Sequence, residues 1–397
     1  MVSPFDAALH FARHRDGRWA LRSTRAEWAA PMLRGRPAEQ APQLLPGLYA
    51  LCGGAHRLAA RHALAAARGD ASNQAGQAHQ AHGAHEPHQA LAADAQALHL
   101  DTLREHLRRL WLDAPRLVAE GSGAASPPPS TVDLARAPFM HLGADPGDPA
   151  IARAARRWVE AQVLEGDAAG WLAAWHADAA AHAANWAATS STWPARWLLA
   201  MRGLLGERAA PCCALGAAAL PSTLSALAEA LRTQPGFALA PTENGEPAET
   251  GCWTRLVDDD ANASSRPHRT GAVPALPLWL RHAARVAEIA RLVTATGDGW
   301  LGQGAFAPPA HPLEGLGWCE MARGLLVHWV RLDGTGRIAD YRVLAPTEWN
   351  FHPAGAAAQA LADAADGGAA LLQAVAAAYD PCVELRVQTA AQESVDA

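Results

Sequence analysis

Two cysteines carry the chemistry this chain could do, and each looks like half of a pair. In LYALCGGAH, residues 48–56, Cys52 stands four positions before His56 and opens a run rich in small residues. The place three before it, where a C-x-x-C pair would have its other thiol, holds Tyr49. In YDPCVELRV, residues 379–387, Cys382 follows Asp380–Pro381, and the place three after it holds Leu385. Thiolates are soft donors suited to nickel, zinc or low-spin iron, but one thiolate makes a poor site. The two fragments, separated by most of the chain, do joint chemistry only if the fold brings them together. A cysteine just ahead of a helix is expected to have its thiol pKa lowered. His56, one turn further on, is placed to hydrogen-bond within such a site and orient the thiolate.

The elements that must position them read as a mainly α protein. Residues 1–25 alternate in short stretches, which predicts a strand pair, and 26–70 move from a Pro-rich segment into CGGAHRLAARHALAAARGD, where small and apolar residues dominate and Gly69 suits a helix stop. Residues 71–94 form a His-rich, low-complexity insert in which His79, His82, His85 and His88 recur at every third place. Gly83 and Pro87 argue against a helix aligning those rings, so the insert reads as a solvated linker. Residues 97–118 have leucines at helical spacing, 149–235 read as successive helices, and 276–296 as a helix with arginines and a glutamate on its polar side. Residues 121–133 and 259–273 read as flexible loops. Two alternating runs flank a DGTG turn in 324–351, a β-hairpin, and further helices end at Asp380–Pro381. The expected fold class is α+β, a single domain over 1–397 with a long helix bundle and a small antiparallel β component.

Composition removes several function classes. Half of the 397 residues are hydrophobic, enough for a large core, and the formal charge is −6, no footprint for nucleic acid or an anionic membrane surface. All 33 basic residues are arginine, which reflects coding composition more than mechanism. No charge-free apolar run is long enough to span a membrane, and the N-terminus has no apolar core of a signal peptide. Six scattered cysteines do not make a disulfide framework; a reducing cytoplasm is the expected location. Cys212 and Cys213, being adjacent, read as buried apolar filler, as do Cys252 and Cys319 unless one is a third thiol.

The segment EMARGLLVHWVRLDGTGRIADYRVLAPTEWNFHP, 320–353, resembles the C-terminal core of nickel–iron hydrogenase large subunits. Arg323–Gly324, His328–Trp329, Pro346–Thr347–Glu348–Trp349–Asn350 and Asp380–Pro381–Cys382 follow one another in the family's order. YALCGGAH is similar to the family's C-x-x-C-x-x-x-H at Cys52 and His56, and ETGCWTR, 249–255, to its V-G-P-L-A-R. The resemblance implies a hydrogenase-large-subunit-like helix bundle. It also implies what is missing: Tyr49 and Leu385 replace one cysteine of each metal-binding pair, Gln388 a C-terminal histidine and Ala30 a proton-moving glutamate. A nickel ion deprived of half its thiolates is not expected to bind, nor hydrogen to be turned over. With these losses the chain is similar to the accessory hydrogenase expression/formation proteins of the HupK/HoxV type, which implies a non-catalytic scaffold for an Fe(CN)2CO unit. Cys52 and Cys382 are then the expected metal ligands. Arg323, Thr347 and the backbone after Pro346 are the expected donors to the diatomic ligands, with His56 beside them.

The implied partners are other maturation proteins, small hydrogenase chaperones and the immature large subunit. Two other readings compete. One is an altered redox subunit whose cavity takes a quinone or other small molecule, which predicts loss of all the site cysteines. The other is a metal store built on His79–His88, which leaves the rest of the fold without a purpose.

Overall fold

The computed structural model describes residues 7–14, 16–69, 85–122, 130–215, 221–260, 273–294 and 300–388. Its centre is the helix Leu278–Thr294, buried from Leu278 to Ala290 without a break. The helices Pro149–Val159, Ala168–Ala177, Trp193–Leu205, Cys252–Asp260 and Gly368–Ala378 pack around it. The indoles of Trp171, Trp175, Trp186, Trp193 and Trp197 fill the spaces between them. Surrounded in this way, the central helix has no polar side. Arg281, Arg285 and Glu288, expected to face solvent, point into the interior instead. There each has an opposite charge: Arg281 pairs with Glu249 at 2.9 Å, Arg285 with Asp380 at 3.2 Å, and Glu288 with Arg255 at 2.7 Å, while the His106 ring lies 2.6 Å from the second Glu288 oxygen. Helical periodicity places these charges on one face; only the tertiary partners decide that the face is internal.

A four-stranded antiparallel sheet runs in the order Gln303–Phe306, Glu314–Met321, Gly324–Leu332, Ile338–Leu344. Its last hairpin closes on the expected turn, with Asp333 Oδ1 accepting from the Thr335 and Arg337 amides and Gly336 at φ 78°. The helix Gly53–Arg68 lies across this sheet on an alanine face, Ala59, Ala60 and Ala63 being fully buried. The approach is close enough to need glycine on the strand below. A Cβ at Gly317 would fall inside the contact distance of the Ala59 carbonyl oxygen and the Ala63 amide nitrogen, and one at Gly315 inside that of the Ala63 carbonyl.

The N-terminal strand pair is present as Ala8–Arg13 and Trp19–Ser23. A third strand, Glu384–Gln388, joins it in parallel, with Leu9 opposite Leu385. The β component is therefore not wholly antiparallel, and this pairing ties the two ends of the chain together. Several expected loops are shorter than their composition implies. A helix His85–Arg108 takes in the second half of the His-rich insert, because Pro87 falls in its first turn, where a missing amide costs nothing. Residues 70–84, with His79 and His82, lie outside the described residues. The loop expected over 121–133 begins with the end of helix Ala114–Ser122 and closes with the helix Thr131–Arg136; 123–129 lie outside the described residues. Residues 259 and 260 end a helix and Val273 starts a strand, with 261–272 likewise outside. No described helix is long and apolar enough to cross a membrane.

Since the Gly53–Arg68 helix carries Cys52 at its head, its seat on the sheet should be sensitive to one methyl group. Gly317→Ala is expected to destabilise the protein by about 1–3 kcal/mol, the scale of overpacking, read as a lower denaturant midpoint with an unchanged slope. An unchanged midpoint would mean the helix does not sit where it is described.

Candidate functional site

The parallel strand decides the geometry. Trp19–Ser23 and Glu384–Gln388 flank Ala8–Arg13 on its two sides; the first ends two residues before Arg25 and the second begins two residues after Cys382, so Arg25 and the D-P-C segment leave the sheet at the same end. Asp380 aims that segment. Its backbone adopts φ 52°, unusual for a residue other than glycine, and its buried carboxylate meets Arg109 at 3.0 Å and Arg285 at 3.2 Å. Against the cost of burial, Arg285, Arg109 and Arg323 hold the Asp380 carboxyl well below the usual carboxylate range.

Cys52, His56, Arg323, Pro346, Thr347 and Cys382 all line one cavity of about 260 Å³, together with Arg25 and Tyr49. The two cysteine fragments therefore meet. Cys52 ends a 3-10 turn and stands at the N-cap of Gly53–Arg68, its side chain making no capping bond. Its thiol is not activated there, contrary to expectation: burial pushes it up to about 12, outweighing the pull of Arg323. Desolvation of a thiolate is the larger effect, and a helix end offers too little to reverse it. Cys382 is differently placed. Arg25 Nη1 donates to its sulfur at 2.6 Å and Thr347 Oγ1 at 3.1 Å. Arg25 Nε donates to Glu348 Oε1 at 2.5 Å, and burial still pushes the Glu348 carboxyl above the usual range.

Arg323 is 2% exposed and spends only Nη2 on a protein partner, Glu105 Oε1 at 2.5 Å. Its Nε and Nη1 are buried with no hydrogen-bond acceptor among the described residues. Buried donors left open in this way are uncommon and costly; here they belong to a permanent cation on the wall of a cavity. Pro346 begins a short helix, Pro346–Asn350, so the hairpin read over 324–351 ends at Leu344. Asn350 fixes that helix at both faces, accepting from the Thr250 amide at 2.9 Å and donating to the Tyr379 carbonyl at 3.2 Å.

His56 belongs to a chain. Its Nδ1 lies 2.9 Å from His328 Nε2, and His328 Nδ1 lies 2.8 Å from the Tyr341 hydroxyl. Tyr49 stacks on His56, ring centroids 4.1 Å apart. Burial lowers both histidines, His328 to about 3 and His56 well below its ordinary value, so both are neutral at physiological pH. Burial likewise raises Tyr49, to about 12. The phenol in the place of a thiol is thus a neutral packing partner.

Of the remaining positions, Leu385 is in the core of the parallel strand pair and Ala30 in the buried face of the short helix Ala29–Leu33. Cys319 is fully buried and Cys252 half-buried; neither lines the cavity. Cys213 is exposed, not buried filler. Sequence reasoning missed Arg25, Glu105 and Asp380 as site-shaping residues. Glu348 and His328 stood within matched motifs, and those motifs were the available signal; Arg25 had none.

The architecture is shared with solved hydrogenases. At 17% identity and a TM-score of 0.52, the chain superposes on a [NiFeSe] hydrogenase from Desulfovibrio vulgaris Hildenborough over 92% of each chain. At 16% and 0.51 it superposes on an NAD+-reducing [NiFe]-hydrogenase over 93% of each. Residues 287–383 match the nickel-dependent hydrogenase family. The chain is 38% identical to the hydrogenase expression/formation protein HoxV of Cupriavidus necator, over 92% of this chain and 91% of that protein. It is 31% identical to the hydrogenase expression/formation protein HupK of Bradyrhizobium diazoefficiens, over 89% and 87%. It belongs to this HoxV/HupK family of hydrogenase-large-subunit-like proteins.

The two buried histidines give the site a pH dependence. Unfolded, each ring takes a proton near its ordinary 6.5; folded, His328 does so only near 3. Their contribution to stability is therefore complete above about 6.5 and is lost as pH falls below it, for His328 down to about 3. Denaturant midpoints should decline over that range, and His328→Gln, which keeps a donor and an acceptor but cannot titrate, should make the decline shallower. An equally steep decline in that variant would show that His328 is not held neutral.

Proposed function

We propose that this chain is a non-catalytic maturation scaffold that holds an Fe(CN)2CO unit between Cys52 and Cys382 and gives it up to a hydrogenase large subunit. One observation carries the reading: a single cavity offers two thiols together with a guanidinium whose Nε and Nη1 meet no acceptor among the described residues. Low-spin iron accepts thiolates, and the cyanide nitrogens it brings are anionic acceptors suited to such donors. Thr347 and Pro346 line the same space.

The donor count favours a fragment over a bare ion. Among the described residues no group of three or more His, Cys, Asp or Glu is arranged to hold a metal ion. A naked divalent cation meets two thiolates, whereas iron arriving with two cyanides and a carbonyl needs only those two to be anchored. Surviving thiols at 52 and 382, with Arg323 retained, also weigh against a cavity given over to quinone. At Cys52 the bound fragment must replace a proton held up to about 12, so loading is coupled to proton release. The reading includes delivery from other maturation proteins, small hydrogenase chaperones among them, and hand-over to the immature large subunit in the cytoplasm.

The test is an infrared spectrum of the protein purified anaerobically from cells that make the cyanide-donating machinery. Bands of iron-bound cyanide and carbonyl are expected in the wild type. They should vanish in Cys52→Ala and in Cys382→Ala, and persist in Cys213→Ala. Bands that survive in both site variants would reject the ligand assignment, and a bare wild-type spectrum with copurified quinone would favour a redox subunit.

A further inference from the structure

The two thiols of the cavity are not equivalent, and the difference lies with Arg25. Cys52 makes no side-chain cap bond. Cys382 has its sulfur in two hydrogen bonds, from Arg25 Nη1 at 2.6 Å and from Thr347 Oγ1 at 3.1 Å. The threonine is committed to that role, because the Cys382 amide donates to Thr347 Oγ1 at 3.3 Å and leaves the hydroxyl hydrogen for the sulfur. The arginine is committed as well, its Nε held by Glu348 Oε1 at 2.5 Å. A thiolate sulfur has three lone pairs. Two of those on Cys382 are engaged by protein, and one is left for a metal.

Resting on the scaffold reading above, we propose that Arg25 makes Cys382 the weak, releasable ligand of the pair and confines it to a single metal. A thiolate that bridges two metals must give each of them a lone pair; on Cys382 the second is filled by a guanidinium. Hydrogen bonds to a ligating sulfur withdraw electron density and weaken its donation to the metal. Release is then a ligand exchange without redox change. The iron–Sγ bond of Cys382 breaks, its electron pair stays on sulfur, and the Arg25 N–H stabilises the freed thiolate. A thiolate of the acceptor forms the new bond, while Cys52 holds the fragment until last. Lysine can substitute only in part, because one ammonium lacks the planar fork that serves Glu348 and the sulfur together.

The experiment compares wild type, Arg25→Met, Arg25→Lys and Thr347→Val, each purified loaded and mixed with excess dithiothreitol as the accepting thiol. In Arg25→Met the carbonyl band is expected at lower frequency, since an unrestrained thiolate feeds more density through iron into the carbonyl. Loss of the fragment to dithiothreitol should slow on the order of tenfold, the scale of one charge-assisted hydrogen bond. Thr347→Val should shift the band the same way by less, and Arg25→Lys should lie between wild type and Arg25→Met. A merely structural role would lower the loaded fraction and leave the band position and release rate per loaded molecule unchanged; that result in both arginine variants overturns the proposal while the scaffold reading stands. A wild-type protein that carries no bands overturns both.

Discussion

The interaction on which the rest depends is the pairing of buried charges around Asp380. An interior built of alanine, leucine and tryptophan does not tolerate isolated ions. Here carboxylates and guanidiniums are distributed so that each charge near the cavity meets an opposite one: Asp380 with Arg109 and Arg285, Glu105 with Arg323, Glu348 with Arg25. These pairs fix the positions of both walls. The Asp380 pairs turn the D-P-C segment inward at a left-handed backbone, and the Glu105 pair holds Arg323 with its other two nitrogens meeting no acceptor among the described residues. The central helix Leu278–Thr294 supplies Arg285, so the deepest element of the bundle is joined directly to the residue two before a site cysteine.

The second requirement is that opposite ends of the sequence arrive at one place. Cys52 is delivered by a helix pressed on a sheet through alanine and glycine, and Cys382 by a strand that extends an N-terminal pair in parallel. Neither anchor is the cavity itself.

Much of this was legible in the sequence. Periodicity marked the bundle helices, the alternation around DGTG marked the hairpin, and the ordered motifs brought Cys52, Arg323, Thr347 and Cys382 to one site. What was not legible depended on tertiary partners. The arginines of Leu278–Thr294 look like a solvated stripe until Glu249, Asp380 and the neighbouring helices surround them. The Cys52 thiol looks activated by its helix until burial is weighed against the helix end. Arg25 lies in the unremarkable stretch LRSTRAEW, and only a parallel strand pairing between the two ends of the chain places it on Cys382. His328 was visible as part of a His–Trp match, but its role as the link between His56 and Tyr341 is a matter of distance.

The three rings joined at His56, His328 and Tyr341 have one further property. Each histidine is neutral and so carries a single hydrogen, which leaves the whole row two self-consistent arrangements. If the tyrosine hydroxyl points its hydrogen at His328, then His328 donates to His56, and the far nitrogen of His56 must be N–H. If it turns away and accepts, every hydrogen shifts by one place and that same nitrogen becomes a bare lone pair. The imidazole beneath Tyr49 thus offers its surroundings a donor or an acceptor according to the rotation of a hydroxyl two residues removed along the row, with no change in net charge and no displacement of a heavy atom.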